Sequence, residues 1–220
     1  MDYKTFIDKI SKELAGNKLV SVYETAAPTY LEEEQLNELS EELAATQYKA
    51  LMPAIKDLMQ LPMKFSLSWE YNLDGTYEMG GQIHLHNIAL AILDDKYTLI
   101  RYDRQPGGPE IKYIDKDLLN GEIDGTVIMI GLPDTHIQIG NWLNKKFYPF
   151  TIGPDKYIEL LYITKGFVGW SYLYCTTLEN DLKTEMYNNY WKRMMTDLPR
   201  LFPDVDYADL EKQLKAMMPG

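Results

Sequence analysis

The chain has 220 residues, 45% of them hydrophobic, which is enough to bury a sizeable core. Its 33 acidic against 22 basic residues give a formal net charge of −11, a balance that repels nucleic acid phosphates and anionic lipid and attracts a basic partner. A single cysteine, Cys175, excludes an internal disulfide and any multi-cysteine zinc site. No apolar run approaches the roughly 20 residues that span a bilayer. The charged start MDYKTFIDKISKEL does not read as a signal peptide, so a soluble, cytoplasmic protein is expected.

Residues 2–15 carry Tyr3, Phe6, Ile7, Ile10 and Leu14 on one side, with Gly16 as a stop, and predict an amphipathic helix. Leu19 to Tyr23 is a short strand candidate. A second helix is expected after Pro28-Thr29, with Leu31, Leu36, Leu39 and Leu43 as its apolar stripe. Its other faces hold Glu32, Glu33, Glu34, Glu38, Glu41 and Glu42, more acid than the helix dipole needs. Pro53 and Pro62 are expected to interrupt or end the helical turns that follow.

From Phe65 the period changes to two: Phe65, Leu67, Trp69 and Tyr71 alternate with Ser66, Ser68 and Glu70, the pattern of a half-buried strand. Asn72-Leu-Asp-Gly75 is a turn signal. Further strands are predicted at 82–88, 97–102, 111–114, 126–130 and 147–152. The connectors Gln105-Pro-Gly-Gly-Pro109, Asn120-Gly121 and Asp124-Gly125 supply turn chemistry between them. Helix returns over 155–165, closed by Gly166, and over 180–198, where Leu182, Met186, Tyr190 and Met194 recur at spacing four before Pro199. A last helix spans roughly 205–218. The order predicts an α+β fold, a central, mostly antiparallel sheet flanked by N- and C-terminal helices. It is read as a single domain over 1–220, helical in 1–62, sheet-rich in 63–152 and helical in 153–220.

Two histidines share one face of a strand in Glu78-Met-Gly-Gly-Gln-Ile-His-Leu-His86, and with His136 they could form a metal site for a small metal-dependent enzyme. Against this, Ile83 and Leu85 form the apolar side of the same strand, so alternation alone places His84 and His86 together, and no carboxylate follows in Asn87-Ile-Ala-Leu-Ala-Ile92. Cys175 follows the aromatic run Trp170-Ser-Tyr-Leu-Tyr174 and reads as a buried thiol. A Gly-x-Ser-x-Gly elbow, a phosphate-binding glycine loop and basic-aromatic strings for single strands are missing. No catalytic residue, metal or cofactor is therefore assigned.

Two acidic groups could meet a basic protein. One is the helix face with Glu32, Glu33, Glu38 and Glu42. The other is the predicted hairpin, where Glu70, Asp74 and Glu78 stand beside Tyr71 and Tyr77. The hairpin is favoured, because tyrosines beside carboxylates make better contact surfaces than glutamates whose rotamer freedom is lost on pinning.

The stretch Asp155-Lys-Tyr-Ile-Glu-Leu-Leu-Tyr-Ile-Thr-Lys-Gly-Phe-Val-Gly-Trp170 resembles the closing segment of the SUKH superfamily, the Smi/Knr-like bacterial proteins. The order Leu61-Pro62-Met-Lys-Phe65, strand, Gly80-Gly81 is similar to that family's opening, and the resemblance covers about residues 50–175. It implies an α+β fold with a mostly antiparallel sheet and no catalytic residues. It also implies an immunity protein that neutralises a toxin domain, often a nuclease, inside the cell. The expected function is thus a non-catalytic, cytoplasmic protein-binding module for a basic partner such as a toxin domain, binding neither nucleic acid nor membrane. The alternatives are a small metal-dependent enzyme using His84 and His86, or a regulatory scaffold protein.

Overall fold

The computed structural model describes residues 3–94, 98–101, 110–117, 124–131, 136–143 and 146–218. The first helix, α1 (Tyr3–Gly16), buries Tyr3, Ile7, Ile10 and Leu14, a stripe at steps of four, three and four. Phe6 sits at its margin against Tyr162, with ring centroids 5.4 Å apart. Strand β1 (Val20–Thr29) is twice the expected length and runs through Pro28. That proline is tolerated because, among the described residues, β1 pairs only with β2 and its register to β2 shifts between Ala26 and Thr29. The acidic helix α2 (Glu33–Ala44) starts from a capping box in which Glu32 and Gln35 satisfy each other's backbone N–H groups. A one-turn helix, α3 (Met52–Ile55), follows with Pro53 in its first turn, so that proline opens helix instead of interrupting it.

Strands β2 (Lys64–Leu73) and β3 (Thr76–His86) form an antiparallel hairpin across the two-residue loop Asp74-Gly75, whose φ values of 61° and 84° are both left-handed. With β1 they make a three-stranded sheet in the order β1-β2-β3. The strand predicted to reach Ile88 instead stops at His86. Asn87, wholly buried, accepts from the N–H groups of Ala89 (3.0 Å) and Leu90 (3.4 Å) and starts the helix α4 (Ile88–Leu93). Its amide donates to the carbonyls of Met59 (2.8 Å) and Leu61 (2.7 Å), which ties the cap to the Leu61-Pro62 corner.

A second antiparallel sheet has the order β4-β5-β6-β7-β8, from β4 (Thr98–Arg101), β5 (Glu110–Asp117), β6 (Asp124–Gly131), β7 (His136–Leu143) and β8 (Lys146–Pro149). The expected central sheet is therefore divided in two, and β7 is a strand the sequence pattern did not reveal. Asp124-Gly125 lies inside β6, while the connectors Gln105–Pro109 and Asn120-Gly121 and the strand-end residues Tyr97 and Tyr102 lie outside the described residues.

The C-terminal part begins with α5 (Pro154–Thr164), followed by two consecutive left-handed residues, Lys165 (φ 55°) and Gly166 (φ 66°). The next helix is continuous through α6 (Asn180–Met186), a π turn at Tyr187–Trp191, and α7 (Lys192–Leu201). Its buried residues Met186, Trp191, Met194 and Leu198 recur at steps of five, three and four. The extra residue of the π turn absorbs the step of five and brings Trp191, not Tyr190, fully inside. Pro199 lies within α7, two residues from its end, where the lost N–H removes one bond from a turn that is already closing. Helix α8 (Ala208–Met217) buries Leu210.

One contiguous core runs from α1 through both sheets to α8, and Trp69 lies in it with no exposed surface. Its ring meets Phe167 and Phe202 edge-on at 6.1 and 6.2 Å, and its indole N–H donates to the carbonyl of Lys165 at 2.8 Å. Gly80 and Gly81 are required by this packing. A Cβ on Gly80 would lie 2.2 Å from the Trp69 ring, and one on Gly81 would lie 2.2 Å from the Gly166 carbonyl oxygen.

Trp69→Ala should cost about 3–5 kcal/mol in urea unfolding, as a large-to-small core change. Gly80→Ala should destabilise the wild type but have a much smaller effect in the Trp69→Ala background, with a coupling above about 1 kcal/mol in the double-mutant cycle. Additive effects would mean that the indole does not set the glycine requirement.

Candidate functional site

The two faces of the β1-β2-β3 sheet differ in kind. Phe65, Leu67, Trp69 and Tyr71 point into the core. On the opposite face of β2 stand Ser66 and Ser68, which are buried, and Glu70 and Asn72, which are half-buried, and register assigns their neighbours to the same face. Glu70 lies between Ser21 of β1 and Met79 of β3, and Asn72 lies opposite Tyr77. Leu19 precedes β1, and its carbonyl accepts from the Asn72 N–H at 2.8 Å, which extends the face by one row. Tyr23 is the extra residue where the β1–β2 register shifts between Val22 and Glu24. Leu19, Tyr23, Tyr77 and Met79 are the exposed large hydrophobic side chains among the described residues; Tyr23, Tyr77 and Met79 lie in this sheet and Leu19 directly precedes it. Tyr23 and Tyr77 are 60% and 63% exposed, so more than half of each residue is open to solvent.

The five residues read from sequence as a contact group separate in three directions. Tyr77 is exposed and Glu70 is half-buried on the outward face. Tyr71 belongs to the core and its hydroxyl donates to the carboxylate of Asp197 on α7. Asp74, at the hairpin tip, receives both of its hydrogen bonds from one nitrogen of Arg200, at 3.0 and 3.1 Å. Glu78 is bound by Arg193 at 2.6 Å, and the same guanidinium donates to the Met79 carbonyl at 3.1 Å. Two of the three hairpin carboxylates are thus already neutralised within the molecule by α7. Glu70 shares no ion pair with a described residue. The sequence reading did not single out Leu19, Tyr23 and Met79, whose exposure depends on the register of three strands.

The other acidic group is different. Glu32, Glu33, Glu34, Glu38, Glu41 and Glu42 are all exposed, and none shares an ion pair with a described residue.

His84 and His86 lie on the outward side of β3, with Ile83 and Leu85 buried behind them, as alternation requires. The Nδ1 atom of His84 is 2.7 Å from the Ser66 hydroxyl, across the strand pair. The backbone N–H of His84 donates to Asp115 at 2.8 Å, whose second oxygen accepts from Tyr157 at 2.7 Å. Ser66 is buried, so this serine–histidine pair is closed to a substrate. Among the described residues no group of three or more histidine, cysteine or acidic side chains is placed to hold a metal ion. His136 begins β7 opposite Gly131, and its side chain lies outside what is described. Cys175 is buried beside Asn141, and burial pushes its thiol far above the ordinary range, which leaves it protonated and unreactive. Among the described residues no helix is long and apolar enough to cross a membrane.

The pairing with α7 makes stability depend on the hairpin's charge. Glu78→Lys should lower stability by about 1 kcal/mol by setting a cation beside Arg193, and Arg193→Glu in the same chain should restore most of it; equal melting temperatures for all three proteins would remove the pair from the stability account. Burial, then the bond to Asp197, raises the Tyr71 hydroxyl well above its usual value of 10.0. The folded state therefore holds this proton more tightly than the unfolded chain. It contributes stability that is complete below pH 10 and is lost as pH rises above it. Tyr71→Phe should flatten the fall in stability above pH 10, followed by urea midpoints; an unchanged slope would assign that fall to other groups.

No protein-family model matches this chain, and neither a curated protein nor a solved structure matches it.

Proposed function

We propose that this chain is a non-catalytic, cytoplasmic protein-binding module for a basic partner, and that its role is immunity, the neutralisation of a toxin domain such as a nuclease. The observation that carries the reading is the outward face of the three-stranded sheet, with Leu19, Tyr23, Tyr77 and Met79 around the half-buried Glu70. Aromatic and methionine side chains are the types enriched at protein interfaces, and a monomer seldom exposes them together without a use. Glu70, between Ser21 and Met79, gives this surface a carboxylate for a lysine or arginine of the partner. The exposed glutamates of α2 and the net charge of −11 steer a basic domain toward the molecule. The SUKH resemblance of residues 50–175 supports the immunity role specifically, since an acidic binder competes with phosphate for a nuclease's basic channel.

Cross-linked capture from the cytosol of the native host, run with wild type, Tyr23→Ser/Tyr77→Ser and Glu70→Lys, tests the site. Wild type should retain a basic protein whose binding weakens with added salt, and each variant should weaken it by more than about tenfold while keeping the wild-type melting temperature. Equal retention by all three proteins, or an acidic partner, would overturn the proposal.

A further inference from the structure

A cleft of about 750 Å³ opens between the C-terminal half of α1 and the loop joining α7 to α8. Its floor is largely apolar, made by Tyr162, Leu201, Phe202 and Pro203. Its wall carries Lys9 and Lys12, one turn apart on α1, and Lys18 just beyond the helix. All three are exposed, and none shares an ion pair with a described residue.

Two carboxylates also line the cleft, and their states differ. Glu13 is neutralised from behind: the ammonium of Lys165, which is wholly buried, lies 2.7 Å from one oxygen, and the Tyr162 hydroxyl donates to the other at 2.8 Å. Lys165 is held there by the Tyr162 carbonyl at 2.7 Å and lies 3.8 Å from the centre of the Tyr162 ring. Asp204 at the rim makes no ion pair with a described residue. The cleft therefore presents three ammonium groups against one open carboxylate, on a protein whose charge is −11 overall. This local reversal of sign over an apolar floor has no part in capturing a basic partner.

We propose that this cleft binds a small phosphorylated aromatic compound, its phosphates against Lys9, Lys12 and Lys18 and its flat body on Tyr162 and Pro203. The volume is in the range of small-molecule sites, and a lysine acts on phosphate as a point charge that needs no fork geometry. The two charges one turn apart on α1 favour a ligand with more than one phosphate oxygen group over a single carboxylate.

Calorimetric titration of the full chain with ADP, pyrophosphate and adenosine tests this. ADP should bind most tightly, pyrophosphate more weakly and adenosine least, because only ADP uses both wall and floor. In Lys9→Glu/Lys12→Glu, ADP affinity should fall by at least about tenfold. Asp204→Asn, which removes the opposing charge, should tighten it. The lysines are exposed, so circular dichroism of the variant should match wild type. No ADP binding up to about 10 mM, or binding that the double variant leaves unchanged, would overturn the proposal.

Discussion

The hydrogen bond from the Trp69 indole to the Lys165 carbonyl holds together parts of the chain that are 96 residues apart, and most of the architecture is arranged around it. The acceptor is available only because Lys165 and Gly166 both turn left-handed after α5, which swings the chain back against β3. Gly166 then accepts from the Gln82 N–H at 3.1 Å and Val168 donates to the Gly80 carbonyl at 3.1 Å. The outer edge of β3 is thus occupied by the turn that follows α5, through a bridge between Gly81 and Phe167. Three glycines are fixed by this one meeting, Gly80 under the indole, Gly81 against the returning backbone and Gly166 against Ile83.

The same turn decides what happens to the Lys165 side chain. A left-handed lysine is uncommon, and here its ammonium is directed into the interior toward Glu13 of α1. Burial lowers its proton affinity, while Glu13 opposes that effect. An uncompensated charge at this depth would be costly, so α1 cannot leave without exposing the cation or deprotonating it. The N-terminal helix is in this way coupled to the edge of a sheet it does not pair with.

Much of this was readable from local pattern. The period-two run from Phe65 places Trp69 inside, the Asp74-Gly75 loop is written as a turn signal, and the Pro154 start of α5 is plain. The same alternation that buries Trp69 also buries Tyr71, so its inclusion in a contact surface contradicted the pattern that defined the strand. What was not legible depends on partners far along the chain. Asn87 starts a helix because the carbonyls of Met59 and Leu61 hold its amide, and nothing in Asn87-Ile-Ala-Leu-Ala-Ile92 alone distinguishes that from a strand's end. Arg193 and Arg200 reach hairpin carboxylates 115 and 126 residues away. Of the contact group, Glu70 and Tyr77 are legible from their place around the turn signal, whereas Leu19 and Tyr23 require the register of β1 on β2, and Met79 that of β3 on β2.

The ion pairs between α7 and the hairpin also determine how the molecule's field varies with distance. A carboxylate beside a guanidinium is a dipole, whose potential decays faster than that of a bare charge, so Asp74 and Glu78 add little to the field beyond their own neighbourhood. The glutamates of α2 have no such partners among the described residues, so an approaching cation feels each of them as a bare charge. Long-range attraction and close contact are thereby assigned to different parts of the surface. In the proposed complex, frequency of encounter would follow α2 and the lifetime of the bound state the tyrosines of the sheet, so selection could adjust one without disturbing the other.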